Sequence, residues 1–125
     1  MKKKKFATLF AVGLAATALS SVALADSLSY DFNHTGYGAA QEKDFTLDSA
    51  ATVTVSGSQN GTWGNGPDCY YMVYKSVPLW FDTLIKEEHT RDANVNFSTS
   101  ELKKGDYYLK VACNSASRTT GTISW

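Results

Sequence analysis

The side chains with chemical reach in this sequence are two histidines, two cysteines and a scatter of acids and aromatics. His34 closes the run Asn33-His34-Thr35-Gly36, and His89 sits in Glu87-Glu88-His89-Thr90-Arg91-Asp92. A histidine can exchange a proton near neutral pH, but covalent catalysis also needs a nucleophile within hydrogen-bond reach. No serine stands in a Gly-x-Ser-x-Gly elbow. Cys69 and Cys113 are the sole cysteines, and they are expected to bond to each other, which leaves no thiol for a Cys–His dyad. Both histidines are therefore expected at strand ends or turns on the surface, without a catalytic role.

Metal and phosphate chemistry find no better footing. No Cys or His pair has zinc spacing, and no EF-hand loop occurs. Glu87, Glu88 and Asp92 form one acidic cluster, and Asp26, Asp31 and Asn33 form another. Neither has the dense, regular carboxylates of a calcium loop, so solvated charge is expected. The glycine-rich stretch around Trp63 lacks the Lys-Ser/Thr of a phosphate cradle. No catalytic residue, metal or cofactor is expected.

The aromatic residues say more. If Cys69 to Lys75 is a strand, Tyr70, Met72 and Tyr74 share the face opposite Cys69, Tyr71 and Val73, because strand side chains alternate. In a strand from Leu79 to Glu87, Trp80 opposes Leu79, Phe81, Thr83 and Ile85. In a strand from Tyr107 to Cys113, Tyr108 and Lys110 oppose Tyr107, Leu109 and Val111. Trp63 falls in a loop. Trp63, Tyr70, Tyr74, Trp80 and Tyr108 are thus the candidate ligand-binding set, since an exposed aromatic patch marks a contact surface.

Positioning these residues requires a sheet scaffold. Short alternating runs rich in Thr, Ser, Val and Tyr are separated by Gly, Asn, Asp and Pro, the pattern of an all-β sandwich or barrel. Eight strands are expected: Leu28–His34, Glu42–Leu47, Ala51–Ser56, Cys69–Lys75, Leu79–Glu87, Ala93–Phe97, Tyr107–Cys113 and Thr119–Trp125. Ser58–Asp68 is expected as a long loop, and Glu88–Asp92 as a charged turn. By parity each cysteine points into the core, as a bridge stapling two sheets together would require.

The N-terminus reads as an export signal. Lys2 to Lys5 are followed by an apolar run from Phe6 to about Leu19 and then by Ala23-Leu24-Ala25, the small-residue pattern of a cleavage site. Residues 1–25 are therefore expected to be a removable secretory signal of bacterial type. Residues 26–125 are expected to form one secreted or periplasmic domain. The apolar run is shorter than the roughly 20 residues of a spanning helix, so no stable membrane insertion is expected after cleavage. Four of the twelve basic residues lie in the signal and none of the twelve acidic ones do. The remaining domain carries eight basic and twelve acidic side chains, a formal charge of −4. That balance argues against a nucleic-acid partner and against a cationic membrane-lytic peptide. Export also places Cys69 and Cys113 where a disulfide persists.

Two stretches carry a family resemblance. One is Asp44-Phe45-Thr46-Leu47-Asp48-Ser49-Ala50-Ala51-Thr52-Val53-Thr54-Val55. The other is Leu102-Lys103-Lys104-Gly105-Asp106-Tyr107-Tyr108-Leu109-Lys110-Val111, followed by Thr120-Gly121-Thr122-Ile123-Ser124-Trp125. Their order resembles the bacterial pre-peptidase C-terminal domains, small modules carried by secreted enzymes. The resemblance implies an antiparallel jelly-roll-like β-sandwich, here standing alone. Where that family has an Asp-rich middle strand, this chain has Asp68-Cys69-Tyr70-Tyr71-Met72-Val73, and the cysteine pair is no general feature of the family. Gly105 and Tyr107 also read independently as a tyrosine corner, a phenol bonding back to the backbone after a turn.

The sequence as a whole points to a small secreted, non-catalytic binding module. Its partner would be a glycan, a cell-wall component or another protein, met through an aromatic sheet face. The alternative reading is a secreted toxin, bacteriocin or enzyme inhibitor, and a hydrolase ranks last.

Overall fold

The computed structural model describes residues 26–36, 39–61 and 67–125. The expected signal, its cleavage site and Trp63 lie outside the described residues. Eight strands run in order: β1 (Ser27–His34), β2 (Ala40–Leu47), β3 (Ala51–Gly61), β4 (Cys69–Lys75), β5 (Thr83–Thr90), β6 (Asn94–Leu102), β7 (Gly105–Cys113) and β8 (Ser117–Ser124).

The pairing is that of one long hairpin rolled up. β1 pairs with β8, β2 with β7, β3 with β6 and β4 with β5. Rolling then brings β8 beside β3 and β7 beside β4. The result is two four-stranded antiparallel sheets, ordered β1-β8-β3-β6 and β2-β7-β4-β5, the jelly-roll form of sandwich. The inward parity positions close the core between them: Val53 and Val55 from β3, Tyr71 and Val73 from β4, Leu109 and Val111 from β7, and Ile123 from β8 are all fully buried. Burying side chains of that size is worth about 1.5–3 kcal/mol each. Tyr71 meets Phe97 edge-on across the sandwich at 6.2 Å, and Phe45 stacks on the terminal Trp125 at 5.4 Å.

Several expected boundaries move. β3 continues through Gly57 to Gly61 instead of stopping at Ser56, so Ser58–Gly61 is strand rather than loop. The reason is a close approach. Gly57 and Gly121 face each other in adjacent strands, and the Tyr30 hydroxyl lies where a side chain on either would be; a Cβ would come within 2.6 Å of it at Gly57 and 2.8 Å at Gly121. Glycine here admits a tyrosine into the core and does not break the strand. β6 likewise runs on to Leu102, and β2 begins at Ala40.

The larger correction is at β5. It begins at Thr83, not Leu79, and continues to Thr90 through most of the expected charged turn. Residues 76–82 form a loop instead. Leu79 in it has φ 61°, a left-handed conformation uncommon outside glycine. Leu79 and Phe81, expected on the core face, are ejected into solvent, while Ile85 alone of that parity set packs on the core.

The Cys69–Cys113 disulfide forms. It joins neighbours within one sheet rather than stapling the two sheets: Cys69 and Cys113 are directly opposed on β4 and β7, with Cα atoms 4.1 Å apart. That spacing belongs to a non-hydrogen-bonded antiparallel pair. The tyrosine corner is also present, the Tyr107 hydroxyl donating to the Lys103 carbonyl at 2.7 Å across the turn that Gly105 makes at φ 152°.

Candidate functional site

The outer face of the β2-β7-β4-β5 sheet carries the strand aromatics in two stacked pairs. Register sets Tyr74 opposite Tyr108 on β7 and Tyr70 opposite His89 on β5. The Tyr74 and Tyr108 rings stack at 5.2 Å, 14° from parallel, and Tyr70 stacks on His89 at 4.2 Å. Cross-strand aromatic pairs of this kind stabilise a sheet by themselves. Lys110, between them along β7, sits 5.9 Å over the Tyr74 ring. Tyr70 is the most open of the three tyrosines, and Tyr74 and Tyr108 are half-buried.

Trp80 is not on this face. It occupies the tip of the β4–β5 loop between Leu79 and Phe81, and these three consecutive side chains are 103%, 76% and 82% exposed. Apart from Tyr70 and Leu84, they are the exposed large hydrophobics among the described residues. A single exposed leucine is ordinary, but three contiguous large apolar side chains are not. Trp80 and Phe81 meet edge-on at 5.9 Å, so they offer one joint surface.

The root of the loop is polar and well bonded. Asp82 accepts from the Val77 amide at 3.0 Å through one carboxylate oxygen and from the Tyr108 hydroxyl at 2.7 Å through the other. The Ser76 amide donates to the Asp106 carbonyl at 3.0 Å, and the Trp80 amide to the Val77 carbonyl at 3.3 Å. The Val77 bond first, and then the Tyr108 bond, hold the Asp82 carboxyl below the usual carboxylate range. Desolvation, and then Asp82 itself, push the Tyr108 phenol up. Tyr108 therefore ties the tyrosine face to the base of the apolar tip. Leu84, opposite Tyr74 across β4 and β5, continues the apolar surface between them.

At the other end of this sheet, His89 bonds through Nε2 to Asp68, whose second oxygen lies 3.6 Å from the Arg91 guanidinium. Sequence reasoning missed this pair, because Asp68 and His89 are 21 residues apart and meet only through the β4–β5 register. Asp68 is the side-chain hydrogen-bond partner of His89 among the described residues, so the constellation has a base and an orienting acid but no nucleophile in contact. The remaining expectations shift more modestly. His34 is buried rather than on the surface: Nε2 is 3.0 Å from Thr119 Oγ1 and Nδ1 is 3.2 Å from the Ala39 carbonyl. Desolvation holds its pKa below the ordinary 6.5. Asp31 pairs bidentately with Arg118 at 2.9 and 2.6 Å, and no group of three metal-ligating side chains gathers among the described residues.

Comparison with known proteins bears on the fold. The structure is similar to the pre-peptidase C-terminal domain of collagenase from Bacillus anthracis, with a TM-score of 0.56 and 13% identity over 77% of this chain and 88% of that one. It is also similar to the Yersinia pseudotuberculosis-derived mitogen, with a TM-score of 0.48 and 14% identity over 81% of this chain and 86% of that one. No protein-family model and no curated protein matches the sequence. At such identity the first likeness establishes a shared β-sandwich and leaves activity to the site itself.

Proposed function

We propose that this chain is an exported, non-catalytic binding module. Its contact surface is the Leu79–Trp80–Phe81 tip together with the adjoining tyrosine face of β4 and β7. The observation that carries the reading is the exposure of three consecutive large apolar side chains on a loop whose root is held by Asp82. An apolar surface that costs solubility and contributes nothing to the core is what a binding site looks like in the absence of its partner. The disulfide supports export, since such bonds persist in oxidising compartments. Under this reading the partner belongs to a cell envelope: a glycan, a cell-wall component or a surface protein.

The test is retention of the exported protein on isolated cell envelopes. Trp80→Ala and Tyr74→Ala should each weaken retention by about 1–3 kcal/mol, the range of an interface hot spot, while the melting temperature of the Trp80 variant stays unchanged. Equal retention of wild type and both variants would remove the binding surface from the account and leave the fold untouched.

A further inference from the structure

The tip has features that a sheet-face binding site does not need. From them, resting on the binding-module reading above, we infer that the Leu79–Trp80–Phe81 tip docks into the interfacial layer of a lipid bilayer. The first argument is shape. Leu79 is completely uncovered and its two neighbours are largely so, the three side chains spreading around a shallow, open hollow rather than closing a pocket. Apolar side chains splayed into water in this way call for either a closely fitted surface or a medium that deforms around them, and a bilayer is such a medium.

The second argument is size. A stable protein interface draws on roughly 20–30 residues a side. Here the apolar surface is three residues, with Leu84 beside them. That is too little to hold a second copy of this chain, whose other exposed large hydrophobic among the described residues is Tyr70. Partition into lipid has no such threshold, because each apolar side chain removed from water adds its own contribution.

The third argument is residue type and boundary. Tryptophan favours the layer where headgroups meet acyl chains, and here it is flanked by purely apolar Leu79 and Phe81. Immediately below, the loop turns polar at Ser76 and Asp82, and the Asp82 carboxylate is directed back to Val77 and Tyr108. The abrupt change limits entry to the shallow depth, about 5–10 Å, of interfacial docking, which is not a membrane span. Leu79 is held in a left-handed backbone conformation, so the outward presentation is built into the loop.

Charge says which bilayer. The end of the sandwich that bears the tip holds Lys75, Lys103 and Lys104, outnumbered by Asp26, Asp48, Asp82, Glu101 and Asp106. Among the described residues there is no basic collar to attract anionic headgroups, so docking is apolar and does not call for anionic lipid.

The experiment is co-sedimentation of the exported protein with vesicles of phosphatidylcholine alone, and of phosphatidylcholine mixed with phosphatidylglycerol, in low and high salt. The wild type should sediment with phosphatidylcholine alone at both salt concentrations, and no better when phosphatidylglycerol is added. Leu79→Ser, Trp80→Ser and Phe81→Ser should each lower partition by about tenfold, with melting temperatures unchanged because the replaced side chains touch no core. Sedimentation that is absent, that requires the anionic lipid, that fades in high salt or that survives all three substitutions would overturn the inference. If vesicle binding is absent but envelope retention still depends on Trp80, the tip serves a protein or glycan partner and the binding-module reading stands. If both assays are blind to Trp80, both readings fall.

Discussion

Tyr108, on the outer face of β7, donates its phenolic hydrogen to Asp82 at the root of the β4–β5 loop over 2.7 Å. The contact links a rigid central strand to the loop that carries the apolar tip. Asp82→Ala should remove both bonds that the carboxylate makes at the loop's root, whereas Tyr108→Phe should remove one. The Val77 amide, which Asp82 accepts, should exchange with solvent faster in Asp82→Ala than in wild type. Because the folded carboxyl sits below its ordinary pKa, the anchoring is complete above the usual carboxylate value and is lost as pH falls through the lowered one. Amide exchange at Val77 followed into acid checks this; an exchange rate indifferent to Asp82 would refute it.

A second prediction concerns Tyr30. Its hydroxyl is buried without a hydrogen-bond partner among the described residues, pressed between Gly57 and Gly121, and burial pushes its pKa up to about 12. An unsatisfied buried hydroxyl costs about 1–3 kcal/mol. Tyr30→Phe should therefore leave stability unchanged or raise it by about 1 kcal/mol. Gly57→Ala and Gly121→Ala should each lower it by about 1–3 kcal/mol or more through overpacking, since a methyl at either position meets strand backbone as well as Tyr30. Denaturant midpoints measure all three.

A third prediction is the acid response of His34. Its folded pKa is held below 6.5 by burial, so the unfolded chain binds the proton first. The stabilising contribution is full above about pH 6.5, the unfolded value, and is lost as pH falls through the folded pKa. His34→Gln should flatten stability against pH in that window relative to wild type. Parallel curves for the two proteins would show that His34 does not titrate with unfolding.

Much of the fold was legible because alternation is a physical consequence of strand geometry. Tyr71 and Val73, and likewise Tyr107, Leu109 and Val111, point inward as their spacing requires, and the cysteines share that parity. Which sheet each strand joins is not written in its own residues. The bridge was thus expected between sheets, although β4 and β7 are neighbours in one. At residues 79–85 the same period continued across a turn. Leu79 and Phe81 keep step with Thr83 and Ile85, and nothing in a leucine announces a left-handed backbone. Gly57 read as punctuation because its purpose, making room for Tyr30, lies 27 residues away. The burial of His34 depends on Thr119, 85 residues further along.

The disulfide supports a fourth prediction. It closes a separation of 44 residues, worth about 4 kcal/mol in the chain-entropy model. Intact mass should rise by two hydrogens on reduction. Cys69→Ala/Cys113→Ala should lower the melting temperature while tip-dependent binding persists at temperatures where the variant remains folded. The bridge spans β4 and β7 at the end of the sheet away from Lys75 and Gly105, where the tip emerges. Loss of binding in a folded variant would mean that the two ends of the sheet are coupled.

The last prediction separates the residues that hold the fold from those that face outward. Val95 and Val111 are buried in the core, on β6 and β7, while Trp80 and Phe81 project from the loop between β4 and β5. Val95→Ala and Val111→Ala should each cost roughly 1–3 kcal/mol, because each removes methyl groups from a packed site and leaves a cavity. Binding by the folded fraction should be unchanged. Trp80→Ala and Phe81→Ala should shift stability by less than about 0.5 kcal/mol, as surface changes usually do, while binding weakens. Tyr74→Ala should show both effects, since its ring stacks on Tyr108 and also borders the exposed surface. A double-mutant cycle between Tyr74 and Tyr108 would separate the sheet contribution, about 0.5–1.5 kcal/mol for such an aromatic pair, from any direct contact with a partner. A Trp80→Ala protein that melts several degrees lower than wild type would show that the tip packs on the domain in solution, and the surface on which the binding reading rests would not exist.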